Sequence, residues 1–207
     1  MYTLTISALL ATAAIAGLPS RFCQEPEVKQ NFDIEAYTGY WYEQHRDAAT
    51  GYESGTCDTT RYTLQADGTV RVQNQDYLNG EWDGVDGFAY QKEPEKEDGY
   101  LMVQFPDFPT GDYRVIATDY DNYAVVYACT YIPFKMVAFE QVWVLGRDPV
   151  YSQEAEEAVK AAMAAKVPLY GFEENLERTV QGDFCPYATA PNYYPENSVA
   201  SLLQSQI

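Results

Sequence analysis

The sequence predicts an all-β fold: eight antiparallel strands closed into an up-and-down β-barrel, with one C-terminal α-helix packed outside. Three observations carry that expectation. From about residue 39 to 147 the chain repeats one theme, a run of alternating aromatic or β-branched residues ended by a turn signal. The turn signals are short, at Asp67-Gly68, Asn79-Gly80, Asp98-Gly99, Thr110-Gly111 and Asp121-Asn122, as suits antiparallel neighbours. No helix-length pattern interrupts the series, which excludes the crossovers a parallel sheet requires.

Taken in order, the runs cover residues 40–46, 57–64, 69–77, 85–91, 100–105, 113–119, 123–131 and 137–147. Eight such strands can close on themselves, which removes exposed edges and leaves an interior wide enough for one small ligand. After the eighth run the period changes. Ala155, Ala158, Val159, Ala162 and Met163 recur at the three-and-four spacing of one helical face. Ser152 supplies an N-cap, Glu154, Glu156 and Glu157 sit at the positive end of the dipole, and Pro168 lies just past Lys166. An apolar face made mostly of alanine is expected to lie close and flat against the outside of the sheet.

The 207 residues suit one domain with a sizeable core. Residues 1–16, "MYTLTISALLATAAIA", carry no charged side chain, are apolar from Leu4 onward, and end in the small-x-small pattern Ala14-Ile15-Ala16. They read as a secretory signal peptide cut after Ala16, and the product as secreted and extracellular. No later segment approaches the roughly 20 apolar residues of a membrane span. The expected organisation is a signal at 1–16, a barrel domain at 17–185, and a flexible tail at 186–207 rich in Pro, Asn and Ser. Against 31 Asp and Glu stand 13 Lys and Arg, a net charge of −18, which makes nucleic acid and anionic membranes poor partners. Such a charge also keeps an extracellular protein soluble. Nineteen tyrosines give much of the apolar surface a hydroxyl, as an amphipathic cavity wall requires.

Cys23, Cys57, Cys129 and Cys185 are scattered singly, without the close pairs of metal knuckles or redox motifs. In an exported chain they are expected to form two disulfides, and spacing alone leaves three connectivities open. His45, the single histidine, has no partners in sequence for a metal site or a catalytic triad, and no Gly-x-Ser-x-Gly is present. It either contacts a ligand at the cavity mouth, sharing the parity of Trp41 and Glu43, or ends its strand in solvent. The run "EPEKED" at 93–98 reads as a solvated loop. No metal and no cofactor are expected beyond a bound hydrophobic ligand.

Strand alternation then assigns the interior. The uncharged sets point inward: Thr60, Tyr62 and Leu64; Val70, Val72 and Asn74; Leu101, Val103 and Phe105; Tyr113, Val115 and Ala117; Phe139, Gln141 and Trp143. Arg61, Arg71, Gln73, Arg114 and Glu140 point to solvent.

At three places the chain resembles the lipocalin family. "NFDIEAYTGYWYE" is similar to its first signature, Asn-Phe-Asp…Tyr-x-Gly-x-Trp-Tyr-Glu; "ATDYDNYAVVYAC" to the second, Thr-Asp-Tyr-x-x-Tyr; and "VLGRDP", with Arg147, to the third. The likeness runs from about Cys23 to Cys185. The flanks "CQEPEVKQNFD" and "VQNQDYLNG" resemble the apolipoprotein D branch and the invertebrate bilin- and carotenoid-binding members in particular.

The resemblance implies a secreted carrier that binds a fatty acid, sterol, retinoid, carotenoid or bilin in its barrel, without a catalytic step. It implies the disulfides Cys23–Cys129 and Cys57–Cys185, each closing a loop of more than a hundred residues and contributing roughly 4 to 5 kcal/mol in the chain-entropy model. It places Tyr62, Asn74, Phe105 and Trp143 in the ligand pocket. Leu64, Val72, Val103, Tyr113, Val115, Phe139 and His45 join them by parity. At the narrow end it implies a short helical turn at Ile34 to Tyr37, a bend at Gly39, and Arg147 laid over the Trp41 indole, a contact of about 0.5 to 2 kcal/mol. Two alternatives stay open: an enzyme of the same fold, an isomerase or an epoxy-carotenoid-converting protein, needing a free cysteine or a cavity carboxylate; and a filled barrel with a pigment or structural role. A homo-oligomer and a cell-surface receptor are the protein partners left open.

Overall fold

Alternating apolar residues and tight turns do produce a closed antiparallel sheet. The computed structural model describes residues 22–193 apart from 52, 133 and 135. The expected signal peptide and the tail beyond Tyr193 lie outside the described residues. The strands are β1 (Gly39–Asp47), β2 (Thr56–Leu64), β3 (Val70–Leu78), β4 (Glu81–Gln91), β5 (Tyr100–Gln104), β6 (Gly111–Thr118), β7 (Tyr123–Ile132) and β8 (Val137–Gly146). Each pairs antiparallel with the next, and β1 returns to β8 with Tyr42 opposite Gly146, which closes the barrel. The β3–β4 connection shows why the turn signals work. Asn79 and Gly80 both take positive φ, 54° and 92°, the pair of values a two-residue hairpin turn demands, so β4 starts at once at Glu81, earlier than its apolar run.

Two cores result. Trp41, Tyr62, Val72, Leu101, Val115 and Val126 are among those filling the lower barrel, while Ile116, Val125, Tyr127, Val142 and Val144 on the outer face pack beneath helix α2 (Gln153–Lys166). The helix buries Ala155, Val159 and Met163, and Ser152 caps it by accepting from the Ala155 N–H. That is the expected outer helix with the expected face.

The narrow end is closed by a single turn, α1 (Ile34–Tyr37), capped by the Asp33 carboxylate. Trp41 is fully buried beneath it, its indole N–H donating to the Tyr37 carbonyl at 2.9 Å. The Arg147 guanidinium lies 3.6 Å from the indole centroid, as expected, but stacking is the smaller part of its role. It also donates to the carbonyls of Tyr120, Tyr40, Ala36 and Thr38 at 2.8, 3.0, 2.9 and 2.9 Å. Gly39 serves both contacts: its φ is +99°, and a Cβ there would stand 3.2 Å from an Arg147 nitrogen.

Beyond α2 the chain departs from expectation. A turn α3 (Phe172–Asn175) leads into a short ninth strand, β9 (Leu176–Arg178), paired to β1. β1 and β2 pair only from Gly39 to Tyr42, and the following segment fills the gap above. The Thr179 N–H donates to the Gln44 carbonyl at 3.0 Å, and the Cys57 N–H to the Val180 carbonyl at 2.8 Å. A three-residue strand with two charges has no legible periodicity. The disulfides Cys23–Cys129 and Cys57–Cys185 form as implied. Residues 186–193, expected to begin a flexible tail, instead pack on the barrel. Asn192 is fully buried and donates to Thr59 and to the Gln73 carbonyl, which also explains why Gln73 is buried rather than solvated.

Candidate functional site

The barrel interior reads from floor to mouth. At the floor the Tyr113 hydroxyl meets those of Tyr37 and Tyr62 at 2.8 and 2.7 Å. Burial raises all three above the ordinary phenol range, so they remain protonated and hydrogen-bonded to one another. Beside them is an apolar void of about 10 Å³ bordered by Ile34, Val70, Val72 and Leu101, room for about one water. A ligand of the expected size therefore has no place at the floor.

Leu64, Val103 and Tyr113 face inward around this floor, Leu64 opposite Val70 in the ladder, while Phe105 and Trp143 face inward higher up; all five are only partly buried. The Phe105 ring lies over Gly87, where a Cβ would come within 2.5 Å of a ring carbon, so glycine is what lets the ring lie flat against β4. Asn74 stands opposite Thr60 in the ladder, and its Oδ1 is buried without a hydrogen-bond partner. Tyr62, Val72 and Val115 belong to the packed lower core.

Two inward assignments fail through bulges, and a third residue keeps its side but lies exposed. Between Glu43 and His45 the register against β8 slips by one residue, so His45 stands opposite Val144 on the outer face. It is buried there, 3.2 Å from the Tyr151 hydroxyl and edge-on to Phe172; burial first, then Arg178, pushes its pKa down to about 4. It lines no cavity and does not end in solvent. A second bulge between Val115 and Ala117 turns Ala117 outward toward the α2 core. Phe139 keeps its parity but is 47% exposed, on the part of the β7–β8 hairpin beyond Tyr127, where β7 no longer pairs with β6.

The mouth holds what parity arguments about apolar residues passed over. Glu43, Asp58 and Asp76 face the interior, and Glu53, on the loop between β1 and β2, reaches in to accept from the Trp143 indole N–H at 3.0 Å. Arg46, turned inward by the same bulge that turns His45 out, lies 3.4 Å from Glu43 and 3.1 Å from Asp58. Burial, reinforced by neighbouring carboxylates, raises Glu43 well above the usual range, Glu53 to about 7 and Asp58 to about 6. A signal existed: Asp58 shares the parity of Thr60 and Tyr62, and Asp76 that of Val72 and Asn74.

Comparison with known proteins agrees with the geometry. Residues 38–183 match the model of the lipocalin / cytosolic fatty-acid binding protein family. The chain belongs to the lipocalin family. Among similar lipocalins, apolipoprotein D of Mus musculus is 37% identical over 159 residues, covering 74% of this chain and 81% of that one. The Lazarillo protein of Schistocerca americana is 28% identical over 150 residues, 71% and 70% of the two chains. Among solved structures, insecticyanin from the tobacco hornworm Manduca sexta superposes with a TM-score of 0.71 at 22% identity, covering 80% of this chain and 89% of that one. Lobster apocrustacyanin A1 gives 0.65 at 21% identity, covering 76% and 84%. This lipocalin therefore shares its fold with both.

Proposed function

We propose that the chain is a secreted carrier that binds one small hydrophobic molecule in the upper half of its barrel. The observation that carries this reading is the half-buried state of Phe105 and Trp143, which face inward above a closed floor that Leu64 and Val103 help to line. Covering such side chains with a ligand contributes roughly 25 cal/mol per Å² of apolar area, and a few polar groups orient the bound molecule. A fatty acid, sterol, retinoid, carotenoid or bilin has the right character. The uncharged leader at 1–16 and two disulfides support export.

Native mass spectrometry of protein from its own source, with quenching of Trp143 by an apolar probe, tests the reading. A stoichiometric lipid or pigment and saturable quenching are expected, and a pigment would colour the protein. An empty protein that no apolar probe quenches overturns it. A catalytic reading has one observation behind it, the carboxylates at the mouth, since among the described residues no cysteine is free for a thiol mechanism. Recovery of a chemically altered ligand after incubation would favour it.

A further inference from the structure

We infer that the barrel selects an amphiphile with a cationic head, an organic ammonium on an apolar body, its head seated among Glu43, Glu53, Asp58 and Asp76. The inference rests on the calyx reading above and names the ligand class. Its first support is charge. Four carboxylates face the upper cavity, and Asp83 stands at the rim opposite Asp76. The one guanidinium among them, Arg46, is already held by Glu43, Asp58, Glu177 at 3.0 Å and the Gly55 carbonyl at 3.0 Å. A fatty-acid anion entering this mouth adds like charge in a region with little water, where Coulomb repulsion is several times stronger than in bulk.

The second support is independent of charge. Asp58 Oδ2, Thr60 Oγ1 and Asn74 Oδ1 are buried without hydrogen-bond partners. Thr60 is only 7% exposed. Unmet buried acceptors are costly and rare in folded proteins. An alkylammonium supplies up to three donors and no acceptor, which matches the Asp58 and Asn74 oxygens, and the Thr60 hydroxyl can accept from it as well.

The third support excludes a simpler occupant. Among the described residues no three acidic or histidine side chains converge closely enough to hold a metal ion. The carboxylates are spread around a mouth, a spacing that suits a bulkier head. Trp143, whose indole is oriented by Glu53, and Phe105 offer aromatic faces to such a cation.

The test compares dodecylammonium, dodecanol and dodecanoate, matched in chain and differing in head charge, by isothermal titration below their aggregation limits. One-to-one binding is expected in the order ammonium, alcohol, carboxylate, with ammonium favoured over alcohol by about tenfold. Glu53→Gln and Asp76→Asn leave the Arg46–Asp58 pair intact, and each should reduce that preference by about threefold. Glu93→Gln with Glu95→Gln, in the exposed loop, controls for general attraction to an acidic protein and should leave it unchanged. Dodecanoate binding as tightly as dodecylammonium, or a preference that survives both mouth substitutions, overturns the inference and leaves the calyx reading standing. Failure of all three probes, the neutral alcohol included, overturns the calyx reading itself.

Discussion

Replacing Arg147 by methionine should cost the barrel about 3 to 5 kcal/mol, far more than its stacking on Trp41 would predict. The side chain makes four hydrogen bonds of 3.0 Å or less to carbonyls drawn from α1, the start of β1 and the turn before β7. A hydrogen bond from a charged donor contributes about 1.5 to 3 kcal/mol. These four share one donor group and are partly hydrated, so they do not add, and the cation–π contact alone accounts for about 0.5 to 2 kcal/mol. Methionine keeps much of the apolar contact with the indole and removes every donor. Lysine keeps a charge but not the planar fork, so Arg147→Lys should cost about half as much. Urea unfolding with the disulfides intact measures both. In heating, each kcal/mol lowers Tm by about 2 to 4 °C for a domain of this size. Affinity for an apolar probe should stay within about threefold, since no ligand-facing residue changes. A cost below about 1 kcal/mol for Arg147→Met, at unchanged m-value, would refute the account of this residue as the clasp of the closed end.

Other consequences can be checked with the same assays. Glu53 and Asp58 carry carboxyls raised in the folded state to about 7 and 6, so the native protein binds more protons than the unfolded chain at mildly acidic pH. Their stabilising contribution is complete below the unfolded carboxylate range and is lost as pH rises through about 6 to 7, and Glu53→Gln should flatten that slope in urea midpoints measured against pH. Tyr113→Phe strips the Tyr37 and Tyr62 hydroxyls of their shared partner and should cost about 1 to 3 kcal/mol by denaturant titration. His45→Ala should destabilise by a similar amount while leaving probe affinity unchanged, whereas a tenfold loss of affinity would place this side chain in the cavity after all. Replacing both Cys57 and Cys185 by serine should cost about 2 to 5 kcal/mol and expose the segment after Arg178 to proteolysis, read by mass mapping of the fragments.

Much of the inward face of the barrel was legible from parity alone, and the failures have a common origin. Tyr62, Leu64, Val72, Val103, Phe105 and Trp143 stand where alternation puts them. His45 and Ala117 do not, because each follows a bulge, and one extra residue sends every later side chain to the opposite face. No local pattern announces those bulges. At β1 the displaced Gln44 is held by the Asp148 carbonyl and the Tyr151 N–H, partners more than a hundred residues away. The acidic mouth escaped for a different reason: in a chain with 31 carboxylates, an inward Asp58 or Asp76 looks like ordinary surface charge until Arg46 and the β1–β2 loop are folded around it.

The sequence by itself determined the strand count of the barrel, its turns, the outer helix and its buried face, because alternation, turn chemistry and the helical period are local properties written in neighbouring residues. The signatures around Trp41 and Arg147 determined which two ends of the chain meet. Tertiary structure alone decided the sides of β1 and β6 taken after their bulges, the insertion of β9, and the gathering of Glu43, Glu53, Asp58 and Asp76 at one mouth. Those outcomes depend on contacts between distant segments, whose energies are balanced only when the barrel is closed.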